Sequence, residues 1–216
     1  FLDDGKGKAR ATILRHKHEK ETGRTSSRTQ RCFQYENKVI NFVDLAGHEK
    51  YLNVTTSGLS GSILDYCLVV IAADQETIPR MTKEHIALAT AYRLPIIIAV
   101  TKIDMTPTDG MLKKMTDRIE KMMGSKAAGK KYPIHVDNED ALDECAMCIG
   151  QKKAKIDDEF CGHQMCIDNH TKLGKSEDDD ENPVKCIAHN VCPIFRVSRK
   201  TGQGIVELKK FITKTI

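Results

Sequence analysis

The sequence has no tryptophan and few aromatic residues of any kind, since they make up only 5% of the 216 residues. It lacks any run of 18 apolar residues, so we predict no transmembrane helix and no membrane partner. The first residues are charged and include no apolar leader, which predicts a cytoplasmic rather than a secreted protein. Lys and Arg total 34 against 30 Asp and Glu. The resulting net charge of +4 neither supports nor excludes nucleic acid as a partner.

Continuous apolar runs at 66–73 and 95–100 predict strands that are buried on both faces of a parallel sheet. A shorter strand is predicted at 194–197, and residues 31–43 predict a hairpin. Helical spacing of apolar residues predicts helices over 81–94, 109–124 and 204–216. Strands that alternate with helices indicate an α/β domain with a doubly wound, mostly parallel sheet and helices on both faces.

Polar segments follow three of the predicted strands: DLAGHE from Asp44, TKID at 101–104 and SRKTGQG at 198–204. Ligands of open α/β sheets bind at the carboxyl ends of strands, so these segments are candidate ligand loops. Asp44 can hold Mg²⁺ through water. At Gly47 no side chain blocks the approach of the amide to a γ-phosphate.

The other two loops suit a guanine base. Asp104 can accept hydrogen bonds from N1–H and N2–H₂ of guanine, a donor pair that adenine lacks. The stem of Lys102 can cover the base plane, and guanine O6 can meet the backbone of Ser198, Arg199 and Lys200. Each motif alone is common, and a solvated surface loop would explain a single one. Their order, with each at a strand end, favours a guanine-nucleotide site.

Longer stretches extend these motifs: RHKHEKETGRTSS (15–27), DLAGHEKYLNVTTSGLSG (44–61), MTKEHIALA (81–89), TKIDM (101–105) and CPIFRVSRKTGQGIVELKKF (192–211). With them the chain resembles translational GTPases of the elongation factor Tu type, and more narrowly the GTP-binding protein 1/2-like subgroup. The resemblance implies a P-loop GTPase domain that binds GTP or GDP with Mg²⁺ and hydrolyses GTP. It also implies the ribosome, tRNA or other RNA as partners, and not DNA.

The resemblance assigns roles to single residues. His48 matches the histidine that positions the attacking water, although a switch-region histidine without a catalytic part is the alternative. Thr25, in a first switch within 1–30, matches the threonine that closes over Mg²⁺ beside Asp44. Ser26 or Ser27 could be the match instead. Residues 44–61 match the second switch.

Two features depart from the family pattern. Thr101 stands where GTPases more often have Asn, so a hydroxyl is kept and an amide is lost. The phosphate-loop pattern G-x-x-x-x-G-K-[ST] occurs nowhere in the sequence. The stretch 3–10, DDGKGKAR, matches the tail of the helix that follows such a loop.

We therefore expect the first strand and the phosphate loop upstream of Phe1, within a partial GTPase domain spanning 1–216. The chain alone is expected to bind GTP weakly, to fold poorly and to be inactive. The alternative is a degenerate pseudo-GTPase that binds no nucleotide and serves as an interaction module.

Residues 125–192 interrupt the predicted alternation of strands and helices. Their periodicity is poor, they contain an acidic run at 176–181, and they hold six of the eight cysteines. We interpret this segment as a Cys-rich, acidic insertion, because long segments without regular structure are uncommon inside compact domains.

Cysteine spacing in that segment raises the possibility of zinc. A C-x-x-C pair is followed by two further cysteines, a spacing that can hold zinc; the candidate ligands are Cys145, Cys148, Cys161 and Cys166. The alternative is a low-order loop in a reducing cytosol. Cys32 and Cys67 lie in strand-like runs, where cysteine is usually a small core residue.

The first 31 residues carry nine Lys or Arg against four Asp or Glu, a net charge of +5. Such a stretch could contact ribosomal RNA, but a solvated helix and loop is the more frequent explanation.

Overall fold

The computed structural model of the protein describes residues 16–22, 25–36, 38–106, 108–149 and 190–215. Within these ranges the strands are β1 (Thr29–Tyr35), β2 (Lys38–Asp44), β3 (Cys67–Ala72), β4 (Ile96–Thr101), β5 (Tyr132–His135) and β6 (Val191–Arg196). The α-helices are α1 (Lys17–Thr22), α2 (Leu52–Ser60), α3 (Arg80–Ala91), α4 (Asp109–Met123), α5 (Glu139–Ile149) and α6 (Ile205–Thr215). Short 3₁₀ turns lie at Glu49–Tyr51, Ile103–Met105 and Lys126–Ala128.

Four of the strands form one parallel sheet in the order β3-β4-β6-β5. Its centre is β4, whose residues 96–100 are all buried. Ile96, Ile98 and Val100 pack on one face with α3 and α4. Ile97 and Ala99 pack on the other face with α5 and α6. The predicted doubly wound α/β fold with helices on both faces is confirmed, because an apolar run such as β4 is stable only when both faces are covered.

The hairpin β1–β2 forms a second, two-stranded antiparallel sheet. Its register runs from Thr29 opposite Asp44 to Tyr35 opposite Lys38, and the turn between them was predicted. The tip of the hairpin reaches α6, where the Lys38 ammonium donates to the carbonyl of Thr213 at 3.2 Å. Cys32 is exposed on β1, so the expectation that it is a core residue is wrong; one two-stranded sheet cannot bury both of its faces.

Residues 125–149 are more regular than the expected insertion. β5 extends the sheet beside β6, and α5 packs four buried side chains, Leu142, Cys145, Cys148 and Ile149, towards it. The boundary at residue 125 is therefore corrected, because regular structure continues to Ile149. β5 has only four residues, too few to show a period. The part of the expected insertion from 150 to 189 lies outside the described residues.

β6 begins at Val191, before the predicted start at 194. Pro193 lies within it and has no backbone N–H to donate. The pairing with β4 begins only at Ile194, so at Pro193 the strand is paired with β5 alone. A proline is tolerated there because the strand is paired on one side only at this position.

Among the described residues, no helix combines the length and apolar character needed to cross a bilayer.

Replacing Gly204 with alanine should destabilise the domain. Gly204 has a φ of 69° and precedes α6. An added Cβ would collide with the backbone carbonyl of Arg196 at the end of β6. We expect Gly204→Ala to lower the free energy of unfolding by about 2 kcal/mol or more, measured by urea denaturation.

Gly110→Ala is the matched control, because the nearest atom to its added Cβ is the Thr108 hydroxyl at 3.9 Å. Alanine is favoured over glycine within helices, so this variant should be neutral or more stable than the parent. Equal destabilisation by the two variants would contradict the assignment of strain to Gly204.

Candidate functional site

Two of the predicted ligand loops meet at the carboxyl ends of β4 and β6. The Ser198 hydroxyl donates to Asp104 Oδ1 at 2.5 Å, although the two residues are 94 positions apart in the chain. The contact forms because β4 and β6 are parallel neighbours, which places the segments after them at one edge of the sheet. Asp104 is exposed there, whereas Ser198 is fully buried.

The Ser198 side chain is fixed by its own loop. Its backbone N–H donates to the Gln203 carbonyl at 2.9 Å, and its carbonyl accepts from the Gly202 amide at 2.9 Å. Its hydroxyl oxygen also accepts from the Thr201 amide at 3.1 Å. The hydroxyl hydrogen is therefore directed at Asp104. This hydrogen bond is the main cause that lowers the pKa of Asp104 below its ordinary value of 3.8, and the charge of Lys200 acts in the same direction. Asp104 is thus an anionic acceptor at neutral pH.

Lys102 lies between β4 and Asp104 in the left-handed region, with a φ of 59°. Its ammonium contacts Asp74 Oδ2 at 2.6 Å, just beyond the end of β3. The other oxygen of Asp74 is buried and has no hydrogen-bond partner. Asp74 was not predicted from the sequence, although its position directly after a buried strand is a usable signal.

Of the remaining residues in the predicted base loops, one contacts the neighbouring strand and two are exposed to solvent. The Thr101 hydroxyl donates to the Ile71 carbonyl of β3 at 3.4 Å, so it faces the neighbouring strand. Arg199 and Lys200 form the exposed turn that follows Ser198.

The predicted magnesium ligands are also brought together. The Thr25 hydroxyl donates to Asp44 Oδ2 at 3.3 Å across nineteen positions of chain. A hydroxyl and a carboxylate are oxygen ligands of the kind that Mg²⁺ accepts, together with water and substrate phosphates. Within the described ranges no cluster of three or more His, Cys, Asp or Glu could hold a metal.

The loop after β2 leaves space beside this pair. A Cβ at Gly47 would have no atom within 4 Å, so the approach to its backbone is open. His48 is exposed, and its Nδ1 accepts from the Lys50 amide at 3.2 Å. With Nδ1 engaged in this way, Nε2 is the ring nitrogen that can hydrogen-bond a water molecule.

Helix α2 packs tightly against this loop. The buried Thr55 hydroxyl donates to the Ala46 carbonyl. A Cβ at Gly58 would meet the tip of the Leu45 side chain, so any larger residue there would require Leu45 to move. The loop that contains Thr25 is also tied to the segment just after α2, since the Arg28 guanidinium donates to the Ser62 hydroxyl at 3.0 Å.

The described part of the predicted zinc site lies in the core. Cys145 and Cys148 project from α5 into an apolar cluster with Phe195 and Phe211. Burial raises the pKa of Cys145 to about 12, whereas zinc binds the deprotonated thiolate. This environment matches a packing role for the pair. Cys161 and Cys166 lie outside the described residues, and zinc stays a prediction. Cys192 lies in β6.

The sequence matches the model of the elongation factor Tu GTP binding domain over residues 3–216. The chain belongs to this family. It is 30% identical over 236 residues to GTP-binding protein 1 of Xenopus laevis, covering 98% of this chain and 30% of that protein. It is 34% identical over 235 residues to GTP-binding protein 2 of Homo sapiens, covering 98% of this chain and 32% of that protein. The chain thus spans about a third of the length of these relatives.

Solved structures share the fold of this family member. Translation elongation factor SelB from Methanococcus maripaludis, in complex with the GTP analogue GppNHp, matches with a TM-score of 0.54 at 20% identity. The match covers 97% of this chain and 31% of that one. A protein of Thermus thermophilus matches with a TM-score of 0.60 at 12% identity, covering 95% of this chain and 34% of that one.

Removing the Ser198 hydroxyl should raise the pKa of Asp104. The hydrogen bond favours the charged carboxylate, so without it the pKa of Asp104 rises towards the ordinary value of 3.8. We expect the carboxyl carbon of Asp104 in Ser198→Ala to titrate at higher pH than in the parent, measured by ¹³C NMR. Ser60→Ala removes an exposed hydroxyl elsewhere and should leave that curve in place. Superimposable curves for Ser198→Ala and the parent would contradict the assigned cause.

Proposed function

We propose that this domain binds GTP and GDP with Mg²⁺ and hydrolyses GTP, within a cytoplasmic, elongation-factor-like GTPase that acts with the ribosome, tRNA or other RNA. The observation that carries the proposal is the 2.5 Å contact between Asp104 and Ser198. Both residues were predicted from the sequence to meet the same base, and they come from loops 94 positions apart. Membership of the elongation factor Tu family supports the same conclusion.

Asp104 would select guanine. Its lowered pKa keeps it an acceptor at neutral pH, and a carboxylate can accept several hydrogen bonds. The Ser198 hydroxyl occupies one direction at Oδ1, which leaves acceptor capacity for N1–H and the exocyclic amine. Adenine offers no such adjacent donor pair. Lys102, held by Asp74, would cover the base plane, and the backbone of residues 198–200 would meet O6.

Thr25 and Asp44 would hold Mg²⁺ at the γ end of the nucleotide, where the amide of Gly47 is also accessible. When bound, Mg²⁺ supplies neutralisation of the charge that develops on the phosphates. His48 would orient the attacking water from the exposed side of the same loop. His48 is the residue proposed to touch the reacting atoms; the others bind or position.

The RNA partner is proposed on two grounds. The family is named for an elongation factor, and the first 31 residues carry a net charge of +5. A domain that only mediates interactions, without nucleotide, is distinguished by guanine-nucleotide titration.

Asp104→Asn should change the base preference of the site from guanine to xanthine. The substituted amide presents a donor where guanine also has one, whereas xanthine has a carbonyl there. We expect GTP affinity to fall by on the order of 1–3 kcal/mol, with a relative gain for xanthosine triphosphate. The measurement is a titration with fluorescent nucleotide analogues, on the chain and on a form extended upstream through a phosphate loop. Asp117→Asn, on the exposed side of α4, is the control and should change neither affinity. Equal affinity of the parent for ATP and GTP would refute the base site.

His48→Ala should impair turnover without weakening binding. A residue that orients water contributes to the transition state, so we expect ribosome-stimulated kcat to fall about a hundredfold while the Kd for GTP stays unchanged. The measurement uses phosphate release by a form that carries a phosphate loop. Glu49→Gln, the exposed neighbour, controls for changes in the loop. Unchanged turnover in His48→Ala would show that the histidine has no catalytic part.

A further inference from the structure

Glu19 is a charged residue in a buried position: only 1% of it is exposed, and it lies on the short helix α1. One carboxylate oxygen, Oε1, accepts from the Ser26 amide and hydroxyl, each at 2.7 Å. The same oxygen lies 3.2 Å from the Ser27 amide and 3.2 Å from its hydroxyl. The other oxygen, Oε2, accepts from the His16 amide at 3.1 Å.

The two oxygens serve two segments. The bond to His16 is reciprocal, because the His16 carbonyl accepts from the Glu19 amide at 3.1 Å, and it closes the first turn of α1. The bonds to Ser26 and Ser27 instead cross to the loop that follows the helix. A buried carboxylate is costly unless donors surround it, and hydrogen bonds to a charged acceptor are the stronger ones. Glu19 therefore couples the helix to the conformation of this loop.

Thr25 immediately precedes the two serines, and its hydroxyl is the group that contacts Asp44. Beyond them, Arg28 is held by Ser62, and Thr29 opens β1 opposite Asp44. The loop is thus anchored on both sides of Ser26 and Ser27. Glu19 supplies the anchor nearest to Thr25, since it binds the amide of the next residue along the chain.

We propose that Glu19 is a positioning residue for the magnesium site: by holding Ser26 and Ser27 it presents the Thr25 hydroxyl to Asp44. The inference rests on the proposed function, because it concerns the ion that Thr25 and Asp44 would hold. Glu19 itself touches neither ion nor nucleotide. Its carboxylate accepts hydrogen bonds from Ser26 and Ser27 and so fixes the position of the loop that carries Thr25.

The test combines Glu19→Gln with the double variant Ser26→Ala, Ser27→Ala, which removes the hydroxyl donors and keeps the buried charge. Glu21→Gln, an exposed acid on the same helix, is the matched control. The first measurement is amide hydrogen exchange at Ser26 and Ser27 without nucleotide. The second is a titration with Mn²⁺ at saturating GTP, in a form of the protein extended upstream through a phosphate loop, and it is followed by paramagnetic broadening of the Thr25 and Asp44 amide signals. Urea denaturation of each variant reports folding separately.

In Glu19→Gln we expect amide exchange at Ser26 and Ser27 to accelerate by about tenfold or more, since the amides lose a charged acceptor. The Mn²⁺ midpoint should rise several-fold in the same variant and, to a smaller extent, in the serine double variant. Glu21→Gln should match the parent in both measurements. If Glu19→Gln fails to fold, the serine variant decides through its Mn²⁺ midpoint.

Three other results would each overturn the inference, and they can be told apart. Unchanged exchange in Glu19→Gln would show that the carboxylate does not hold the loop. Faster exchange with an unchanged Mn²⁺ midpoint would make Glu19 a helix cap alone; either result overturns the inference and leaves the proposed function standing. If Mn²⁺ broadens neither Thr25 nor Asp44 in the parent that carries a phosphate loop and binds GTP, the proposed magnesium site is overturned, and this inference with it.

Discussion

The candidate base site depends on the parallel pairing of β4 with β6. The register of this pair, Ile98 opposite Ile194, brings both carboxyl ends to one edge of the sheet. Burial of β4 on both faces fixes that register, because a shift by one residue would exchange the side chains that face the two helical layers. Asp104 and Ser198 therefore meet as a consequence of core packing. Packing of the core fixes where the two loops lie, and the loop residues supply the polar groups of the candidate site.

The sequence was sufficient for the elements whose signal is local. β3 and β4 are uninterrupted apolar runs, and the polar loops were recognisable because they follow directly. β5 was missed because it has only four residues and includes Pro133, which is acceptable at its edge position but argues against a strand. α5 does show helical spacing, from Leu142 through Cys145 to Ile149, but its C-x-x-C pair was interpreted as part of a low-order loop or of a possible zinc site.

Two carboxylates that were not predicted as site residues hold two of the predicted ligands in place. Asp74 holds Lys102 from the end of β3, and Glu19 holds the residues beside Thr25. The position of Asp74 after a buried strand marks it as a candidate, but neither contact could be predicted, because the partners are 28 and 7 positions away and share no periodic pattern with Asp74 and Glu19. A motif identifies the residue that contacts a ligand. The second residue, which holds that contact residue in place, is recognised only in the folded structure.

Burial of the thiols determines which cysteine reacts first with an alkylating reagent. The pKa is about 12 for both Cys145 and Cys192, and each unit above ambient pH reduces the reactive thiolate about tenfold. Of the cysteines in the described ranges, Cys32 alone is exposed, on the hairpin that joins the Thr25 loop to the Gly47 loop. Among those thiols, a maleimide dye would therefore label the connecting hairpin first. The natural sequence therefore carries, without any substitution, an attachment point for a fluorescent reporter between these two loops.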